Sequence, residues 1–359
     1  MSRFLEVASE AEAIDLFFEK GWTDGLPSVP PTEARVAAML RHTRRLPQEV
    51  VGNVAPAGRK ATVELVAVNA VMAGCRPEYL PVVLAAVEAV CDPRFNLDGV
   101  QATTHVCAPL LIVNGPIREA LRINSGYNVF GQGWRANATI GRALRLVLMN
   151  IGGGIPGLTD QSTFGHPGKY TYCIAENEEE NPWEPFHVER GFPRETSTLT
   201  VLAAEAPHSV TNHVSDDPQG ILTSCADALA TMGSNSMVMT NYVLVALGPE
   251  HTRTLAAHGW TKQDVKAYLF EKARKPLQQM TFAGRYGKIW NRNWPMWLDR
   301  DNPDTRVPVA ASSDDVHVIV AGGPVGRFSV VIPGWTQFSH PVTKPIGTTP
   351  FPLPLATEM

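Results

Sequence analysis

The sequence predicts an α/β protein whose mixed sheet is built from repeated units of a strand, a proline-containing turn and a helix. Continuous aliphatic and β-branched runs are typical of strands that are buried on both faces. Four such runs end in proline, with glycine or alanine directly before it: Leu110–Pro116, Leu199–Pro207, Tyr242–Pro249 and Val316–Pro324. Helical stretches follow two of them, at Ile117–Arg122 and His251–His258. Two related halves are one interpretation; a common way of ending a strand, without duplication, is the other.

Length, charge and cysteine content exclude several classes of protein. The chain has 359 residues, enough for one large domain or two tightly joined ones. Its net charge of −4 argues against a general nucleic-acid-binding protein, which would carry a basic stripe. No run of about 18 apolar residues occurs, so no membrane span is expected. The start of the chain lacks the apolar region of a signal peptide, and five cysteines without a CxxC pair predict reduced thiols in a cytoplasmic protein.

Residues 1–60 are expected to form a helical N-terminal segment with a rigid loop. Ser9 is a candidate cap for a helix over Glu10–Lys20. Three prolines and two glycines between Gly21 and Pro31 predict the rigid loop. A second helix is predicted near Glu33–Leu40.

The α/β core is predicted over residues 61–334, with 61–160 and 161–334 as its candidate halves. It opens with two helices, 62–74 and 78–90, that are apolar on most faces and are therefore expected to be buried. After Gly334 the chain holds several prolines and few charges. That composition predicts an extended arm over residues 335–359, lying on its own domain or on a neighbouring subunit.

His105 and Cys107 are the first candidate catalytic residues. Residues two apart in an extended segment point to the same face. A histidine beside a cysteine can lower the thiol pKa and make the sulfur a nucleophile. The alternative is a buried structural thiol beside a hydrogen-bonded histidine.

His208 and His213 follow the predicted strand 199–206 and are candidate metal ligands. Together with His105, or with a carboxylate such as Glu176, they would supply three ligands and leave one position open. If the strands that begin near residue 110 and end near residue 206 are antiparallel neighbours, all three histidines meet in one cleft. The alternative is that polar loop residues here cap and bond the backbone.

Glu176 and His187 are the candidate acid–base pair. Glu176 ends a strand-like apolar stretch, and His187 lies in an aromatic, proline-rich segment that looks anchored. The alternative is a solvated loop, since Glu176 also begins a run of negative charges.

Two glycine-rich stretches are candidate anion sites. Gly131 and Gly133 lead through Arg135 into a predicted helix at Asn137–Asn150, and a glycine loop at a helix N-terminus presents backbone N–H groups to anions. Arg327 follows a second glycine pair. The first stretch formally matches GxGxxA, but no convincing strand precedes it, so neither NAD nor a nucleotide is supported as a cofactor. Tight turns with surface arginines are the alternative.

Six longer segments of the chain stand out as a set. They are GWTDGLP (Gly21–Pro27), AVNAVMAGCR (Ala67–Arg76), GVQATTH (Gly99–His105), NATIGRAL (Asn137–Leu144), GKYTYCIAENEE (Gly168–Glu179) and WEPFHVERG (Trp183–Gly191). The set resembles a poorly characterised bacterial family that is associated with UGSC-motif (seleno)proteins. Those companions look like thiol or selenol reductive enzymes, so the resemblance implies a (seleno)cysteine partner that acts with this chain on a small metabolite. The chain has no Cys-Gly-Ser-Cys of its own, so that redox pair does not carry over.

Two classes of function compete. In the first, the chain is an enzyme that acts on a small organic substrate by thiol, acid–base or metal-assisted chemistry, as a lyase or oxidoreductase; phosphoryl transfer is disfavoured because no P-loop occurs. A divalent metal is the candidate cofactor. In the second, the chain is a non-catalytic binding subunit of a complex. A homo- or hetero-oligomer is expected in either case, because the stretch around Trp290, Trp294 and Trp297 offers a large apolar surface.

Overall fold

The fold is known from a computed structural model, which describes residues 5–282 and 294–347. Helices and short strands are interspersed along most of the chain. The helices are α1 (Glu10–Glu19), α2 (Glu33–Leu40), α3 (Val63–Ala73), α4 (Leu80–Cys91), α5 (Leu97–Ala102), α6 (Ile117–Ala120), α7 (Arg135–Asn150), α8 (Phe186–Glu189), α9 (Pro218–Leu229), α10 (Asn235–Met239), α11 (Pro249–Ala257), α12 (Lys262–Lys272) and α13 (Leu277–Phe282). Among the described residues, none of the helices combines the length and apolarity needed to cross a membrane.

The strands form two four-stranded mixed sheets and two smaller pairs. They are β1 (Val50–Val54), β2 (Arg59–Thr62), β3 (Ala108–Asn114), β4 (Cys173–Ala175), β5 (Thr198–Ala204), β6 (His208–Thr211), β7 (Val243–Leu247), β8 (Arg274–Pro276), β9 (Arg306–Pro308), β10 (Val316–Val320), β11 (Phe328–Pro333) and β12 (Val342–Pro345). The first sheet has the order β12-β5-β3-β4, the second has the order β10-β7-β11-β6, and β1–β2 and β8–β9 form the pairs. The predicted mixed α/β fold and its four strands are confirmed.

The two large sheets repeat one topology. In the first sheet β3 and β4 are parallel, whereas β3–β5 and β5–β12 are antiparallel. In the second sheet β7 and β10 are parallel, whereas β7–β11 and β11–β6 are antiparallel. Each sheet therefore begins with one parallel pair at its edge, and two antiparallel pairings follow across the sheet.

The outermost antiparallel strand of each sheet is exchanged between the halves. Strand β6 follows β5 in sequence but joins the second sheet, and β12 follows β11 but joins the first. The two crossings meet at an antiparallel bridge between Ala204 and Gly334. These residues are equivalent, because Leu202 and Ile332, two positions earlier, both face the layer between the sheets. Pairing of equivalent residues in antiparallel directions is the geometry of a two-fold axis, which favours the interpretation as two related halves.

The two sheets pack against each other, and each carries helices on its other face. Successive side chains of a strand point to opposite faces. Thus Leu110 and Ile112 of β3 meet Leu244 of β7 in the central apolar layer, whereas Leu111 and Val113 pack with α3, α4 and α7. The second sheet packs outward on α9 and α12. The result is a four-layer arrangement of helices, sheet, sheet and helices.

Local sequence signals place the helix ends. Helix α1 begins after Ser9, whose side chain accepts a hydrogen bond from the backbone N–H of Glu12 at 3.1 Å. Helix α3 is capped by Thr62 and ends at Gly74, whose φ of 87° favours glycine. The predicted helices at 10–20, 33–40, 62–74, 78–90 and 137–150 are all confirmed, with ends that differ by at most two residues.

The division of the core into 61–160 and 161–334 stays a prediction. Three strands of the first sheet, β3, β4 and β5, lie between Ala108 and Ala204, and the fourth, β12, comes from the C-terminal stretch. Strand β4 has three residues, too few to give a recognisable apolar run. The predicted arm supplies β12, which pairs Val342 with Val201 on its own chain. Residues 348–359 lie outside the described part.

The tryptophans expected at an interface have different environments. Trp294 is buried and donates its indole N–H to the carbonyl of Val238 at 2.9 Å. Trp297 is 56% exposed and packs against the guanidinium of Arg274. Trp290 lies outside the described residues. The expected oligomer stays a prediction.

The hydroxyl of Tyr242 allows the contact between the two sheets to be tested. Its buried hydroxyl accepts from the backbone N–H of Ala203 at 3.0 Å and donates to the carbonyl of the same residue at 2.8 Å. Tyr242→Phe removes both bonds, so we expect the free energy of unfolding to fall by about 1–3 kcal/mol in urea denaturation. Tyr268→Phe is the control, because its hydroxyl bonds to Thr223 at the surface. Equal losses in the two variants would contradict a special role for Tyr242.

Candidate functional site

A cleft of about 560 Å³ opens beside the N-terminal end of β4. Its walls come from Asp24 in the loop before α2, from α7, from the glycine-rich loop 154–165 and from the turn 166–170 before β4. The volume suits a small organic molecule. Three of the segments that carry the family resemblance therefore meet around one cavity: GWTDGLP, GKYTYCIAENEE and, through Arg142, NATIGRAL.

A buried ion pair fixes one wall of the cleft. Arg142 donates from Nε and Nη2 to the two carboxylate oxygens of Asp24, both at 2.8 Å. Burial raises the pKa of Asp24, but the hydrogen bonds and the charge of Arg142 outweigh that effect and hold the pKa below its ordinary value. Asp24 is therefore ionised at neutral pH, and its charge is neutralised by Arg142.

Arg145 presents unused hydrogen-bond donors at the cleft. The residue is 8% exposed, and its guanidinium donates from Nε to the carbonyl of Lys169 at 2.6 Å and from Nη1 to Oε1 of Gln101 at 3.5 Å. Nη2 donates to no partner within residues 5–282 and 294–347. Burial lowers the pKa of Arg145, yet arginine stays protonated in proteins. The side chain is thus a fixed cation with donors left for a ligand.

Lys169 and Asp160 form a second ion pair in the wall of the cleft. The Lys169 ammonium lies 2.8 and 2.7 Å from the two carboxylate oxygens of Asp160. The carboxylate also accepts from the backbone N–H of Ser162 at 3.1 Å. The charged residues that line the cleft are Arg145, Lys169, Asp24 and Asp160. Asp24 is neutralised by Arg142 and Asp160 by Lys169, so Arg145 is the one lining cation that no carboxylate of the described residues neutralises, an excess of one positive charge.

His166 adds a neutral polar group to the wall. Its Nδ1 accepts from the backbone N–H of Gly168 at 3.1 Å, so the proton of the neutral ring lies on Nε2. Burial lowers the pKa of His166 below its ordinary value. A Cβ at Gly168 would lie 2.5 Å from the ring, which explains why glycine is needed there.

His105 forms a dyad with Glu205. Its Nε2 lies 2.9 Å from Oε1 of Glu205, and its Nδ1 accepts from the backbone N–H of Cys107 at 3.3 Å. Strands β3 and β5 are antiparallel, with Ala108 opposite Ala204, so residues before β3 meet residues after β5. The predicted meeting of these strand ends is confirmed, but the partner of His105 is Glu205 instead of His208.

The metal site expected from His105, His208 and His213 is not formed. Strand β6 carries His208 into the second sheet, opposite Val331, and both His208 and His213 are exposed. The ring of His213 packs edge-on against Phe328 at 5.0 Å between centroids. Within the described part of the chain, no group of three or more histidine, cysteine, aspartate or glutamate side chains is placed to hold a metal ion.

The environment of Cys107 favours its structural alternative. The side chain is 1% exposed, and burial raises the pKa of the thiol to about 12. His105 contacts the backbone of Cys107 and does not lower the thiol pKa. A buried, protonated thiol is a poor nucleophile.

Glu176 and His187 lie in one buried polar network. Both are 0% exposed. Glu176 accepts from Nδ2 of Asn114 at 2.6 Å and from Nδ2 of Asn181 at 2.9 Å, and Nδ1 of His187 lies 3.9 Å from a carboxylate oxygen of Glu178. Burial raises the pKa of Glu176. The network fastens the loop after β4, and neither predicted acid–base residue reaches a substrate in this conformation.

The residues of the first predicted anion site serve other purposes. Gly131 and Gly133 lie in an exposed loop. Arg135 turns away to donate from Nε and Nη2 to the carbonyl of Gly74, at 3.1 and 3.0 Å. It thereby binds the C-terminal end of α3.

Asn137 and Arg327 are also used within the fold, and in different halves. Asn137 bonds both the N–H and the carbonyl of Asn124, at 2.8 and 3.0 Å. Arg327 donates to the carboxylate of Asp216 at 3.0 Å. These residues do not converge on one anion site.

The residues that do converge on the cleft have only weak sequence signals. Arg145 looks like a surface cation on an amphipathic helix, and Asp160 lies in a loop without a recognisable motif. Lys169 has the clearest sequence signal of the three, because it lies within the segment GKYTYCIAENEE. No model of a known protein family matches this sequence, and no curated protein matches it.

Cys107 allows a direct chemical test. In the folded chain at pH 7, we expect iodoacetamide to leave Cys107 unmodified, because only about one thiol in 100,000 is ionised when the pKa lies five units above the pH. The half-buried Cys91, whose pKa is about 11, should react first. Mass spectrometry of peptides measures both, and urea-denatured protein provides the fully labelled control. Faster native labelling at Cys107 than at Cys91 would restore the thiol hypothesis.

Proposed function

We propose that the chain binds a small, singly charged organic acid in the cleft and acts on it by acid–base chemistry. The observation that carries this proposal is the buried guanidinium of Arg145, which keeps free donors at a cavity of metabolite size. The enzyme class in question is a lyase or an oxidoreductase.

Arg145 suits a carboxylate because its donors lie in a planar fork that matches the two carboxylate oxygens. The side chain is already held by the carbonyl of Lys169 and by Gln101, so binding would immobilise little of it. The single excess positive charge of the cleft favours a monoanion over a polyphosphate.

Lys169 and Asp160 are the proposed acid–base groups. They place a proton donor and a proton acceptor 2.7 Å apart at the wall of the same cleft. His166 lines the cavity as a neutral ring whose Nε2 is buried. Cys107 has no part in this mechanism.

The (seleno)cysteine partner implied by the family resemblance stays a prediction. A cleft that holds its own donors and acceptors is expected to bind its ligand without a second protein. Ligand binding by the purified chain is therefore the first measurement to make.

Arg145→Gln tests the binding step. Calorimetric titration with a panel of short-chain monocarboxylates should find a ligand for the wild-type chain, and the variant should bind it about tenfold or more weakly because a charge-assisted bond is lost. Arg253→Gln is the control, since this half-exposed arginine pairs with Glu180 outside the cleft. The neutral amides of the same acids should not bind. Equal affinities for both variants would contradict the proposal.

Asp160→Asn separates an enzyme from a binding subunit. The amide keeps the oxygen that accepts from Lys169 and Ser162 but removes the base. For an enzyme, proton NMR in D2O should show exchange of a ligand C–H proton with the wild-type chain and none with the variant, while binding persists. Binding without exchange or turnover in the wild-type chain would identify a non-catalytic subunit.

A further inference from the structure

A second cavity, of about 660 Å³, lies in the second half of the chain beside the N-terminal end of β10. Its polar lining consists of Glu189, Arg190, Gln263, Lys266, Asp314 and His317. A neighbouring cavity of about 530 Å³ shares Glu189, Gln263 and Lys266 with it and extends the space along α12. Neither cavity shares a lining residue with the cleft beside β4. We call the two cavities together the α12 groove.

The α12 groove is the counterpart of the cleft in the repeated topology. Strand β10 corresponds to β4, since each is the parallel edge strand of its sheet. Helix α12 packs on β10 as α7 packs on β4. Lys266 on α12 and Arg145 on α7 are both buried cations that line the cavities beside these strands.

Lys266 is a buried cation with unused donors. It is 5% exposed, and its ammonium contacts one acceptor among the described residues, the Oε1 of Glu189 at 2.6 Å. Lys262, one turn earlier and 8% exposed, contacts the other oxygen of the same carboxylate at 3.0 Å. Two buried ammonium groups thus share one carboxylate. A buried ammonium with unfilled donors is costly unless an acceptor completes its shell.

His317 provides a second, independent pointer to a ligand. It is 7% exposed, lines the groove, and its Nε2 has no hydrogen-bond partner in residues 5–282 and 294–347. Burial, with the nearby charges of Arg190 and Lys266, lowers the pKa of His317 to about 3. The ring is therefore a neutral imidazole whose Nε2 is a buried, unfilled polar group beside the groove.

We propose that the α12 groove binds a tetrahedral oxyanion, the phosphate group of a phosphomonoester or free phosphate. Across the two cavities four cations, Arg190, Arg194, Lys262 and Lys266, oppose three anions, Glu184, Glu189 and Asp314, which leaves one excess positive charge. Ammonium groups act as point donors that suit a tetrahedral anion, in contrast to the planar fork that Arg145 offers to a carboxylate. This site is separate from the cleft and does not depend on the function proposed for it.

Charge deletion on α12 tests the site. Isothermal titration of the wild-type chain with inorganic phosphate, and with glycerol phosphate, should show binding, and Lys266→Met should weaken it about tenfold because a charged donor is lost. Lys272→Met is the matched control, because this exposed lysine lies on the same helix with its ammonium over the ring of Tyr268. It should bind as the wild-type chain does. Arg145→Gln should also leave phosphate affinity unchanged.

A second readout keeps the proposal testable if Lys266→Met does not fold. In wild-type protein with ¹³C-labelled histidine, phosphate should shift the one ring resonance that is absent from His317→Asn, and chloride at equal ionic strength should not. Tighter binding of glycerol phosphate would identify a phosphomonoester as the ligand, whereas equal affinities would identify free phosphate. No shift with phosphate, equal affinities in Lys266→Met and Lys272→Met, or an equal shift of the His317 resonance with acetate would each overturn the proposal.

Discussion

The exchange of edge strands at the bridge between Ala204 and Gly334 is the constraint on which the fold depends. Each sheet would have three strands without it, and the antiparallel edges of β5 and β11 would expose unpaired backbone groups. Because each edge is covered by a strand from the other half, neither sheet is complete alone. The apolar layer between the sheets, with Leu110 and Leu244 at its centre, is therefore assembled from both halves at once.

The same crossing decides where polar side chains gather. Ligands of open parallel sheets bind beyond the carboxyl ends of the strands. In this chain the carboxyl ends of β3 and β4 are closed by the network around Asn114 and Glu176, which is 0% exposed. The open cavities lie at the other end, where β4 and β10 begin. His105 meets Glu205 at that end because β5 runs antiparallel to β3, and the departure of β6 to the second sheet takes His208 away.

Helices and buried strands, which depend on a local residue pattern, are predictable from this sequence. The pairing of strands far apart in the chain is not. Four apolar runs and five helices were evident, because burial on both faces and capping residues such as Ser9 leave a local signature. Strand β4 is too short to leave one, and the partners of β6 and β12 follow from the crossing of chains far apart in sequence. The residues that line the cleft could not be identified from the sequence for the same reason. Asp24, Arg145 and Lys169 become neighbours through tertiary packing, and each alone looks like an ordinary surface charge.

Two cavities at corresponding ends of a repeated topology need not be independent. The α12 groove lies beside the second sheet, yet Phe186, Glu189 and Arg190 in its wall come from the segment between β4 and β5, two strands of the first sheet. Arg190 also donates to the hydroxyl of Thr343 and to the carbonyl of Pro341, beside the edge strand β12 of the first sheet. Any ligand that draws Arg190 into the groove must therefore act against its bonds to the first sheet. The exchanged strand that completes the first sheet thus also holds the guanidinium that lines the groove, so completing that sheet positions a cation of the second cavity.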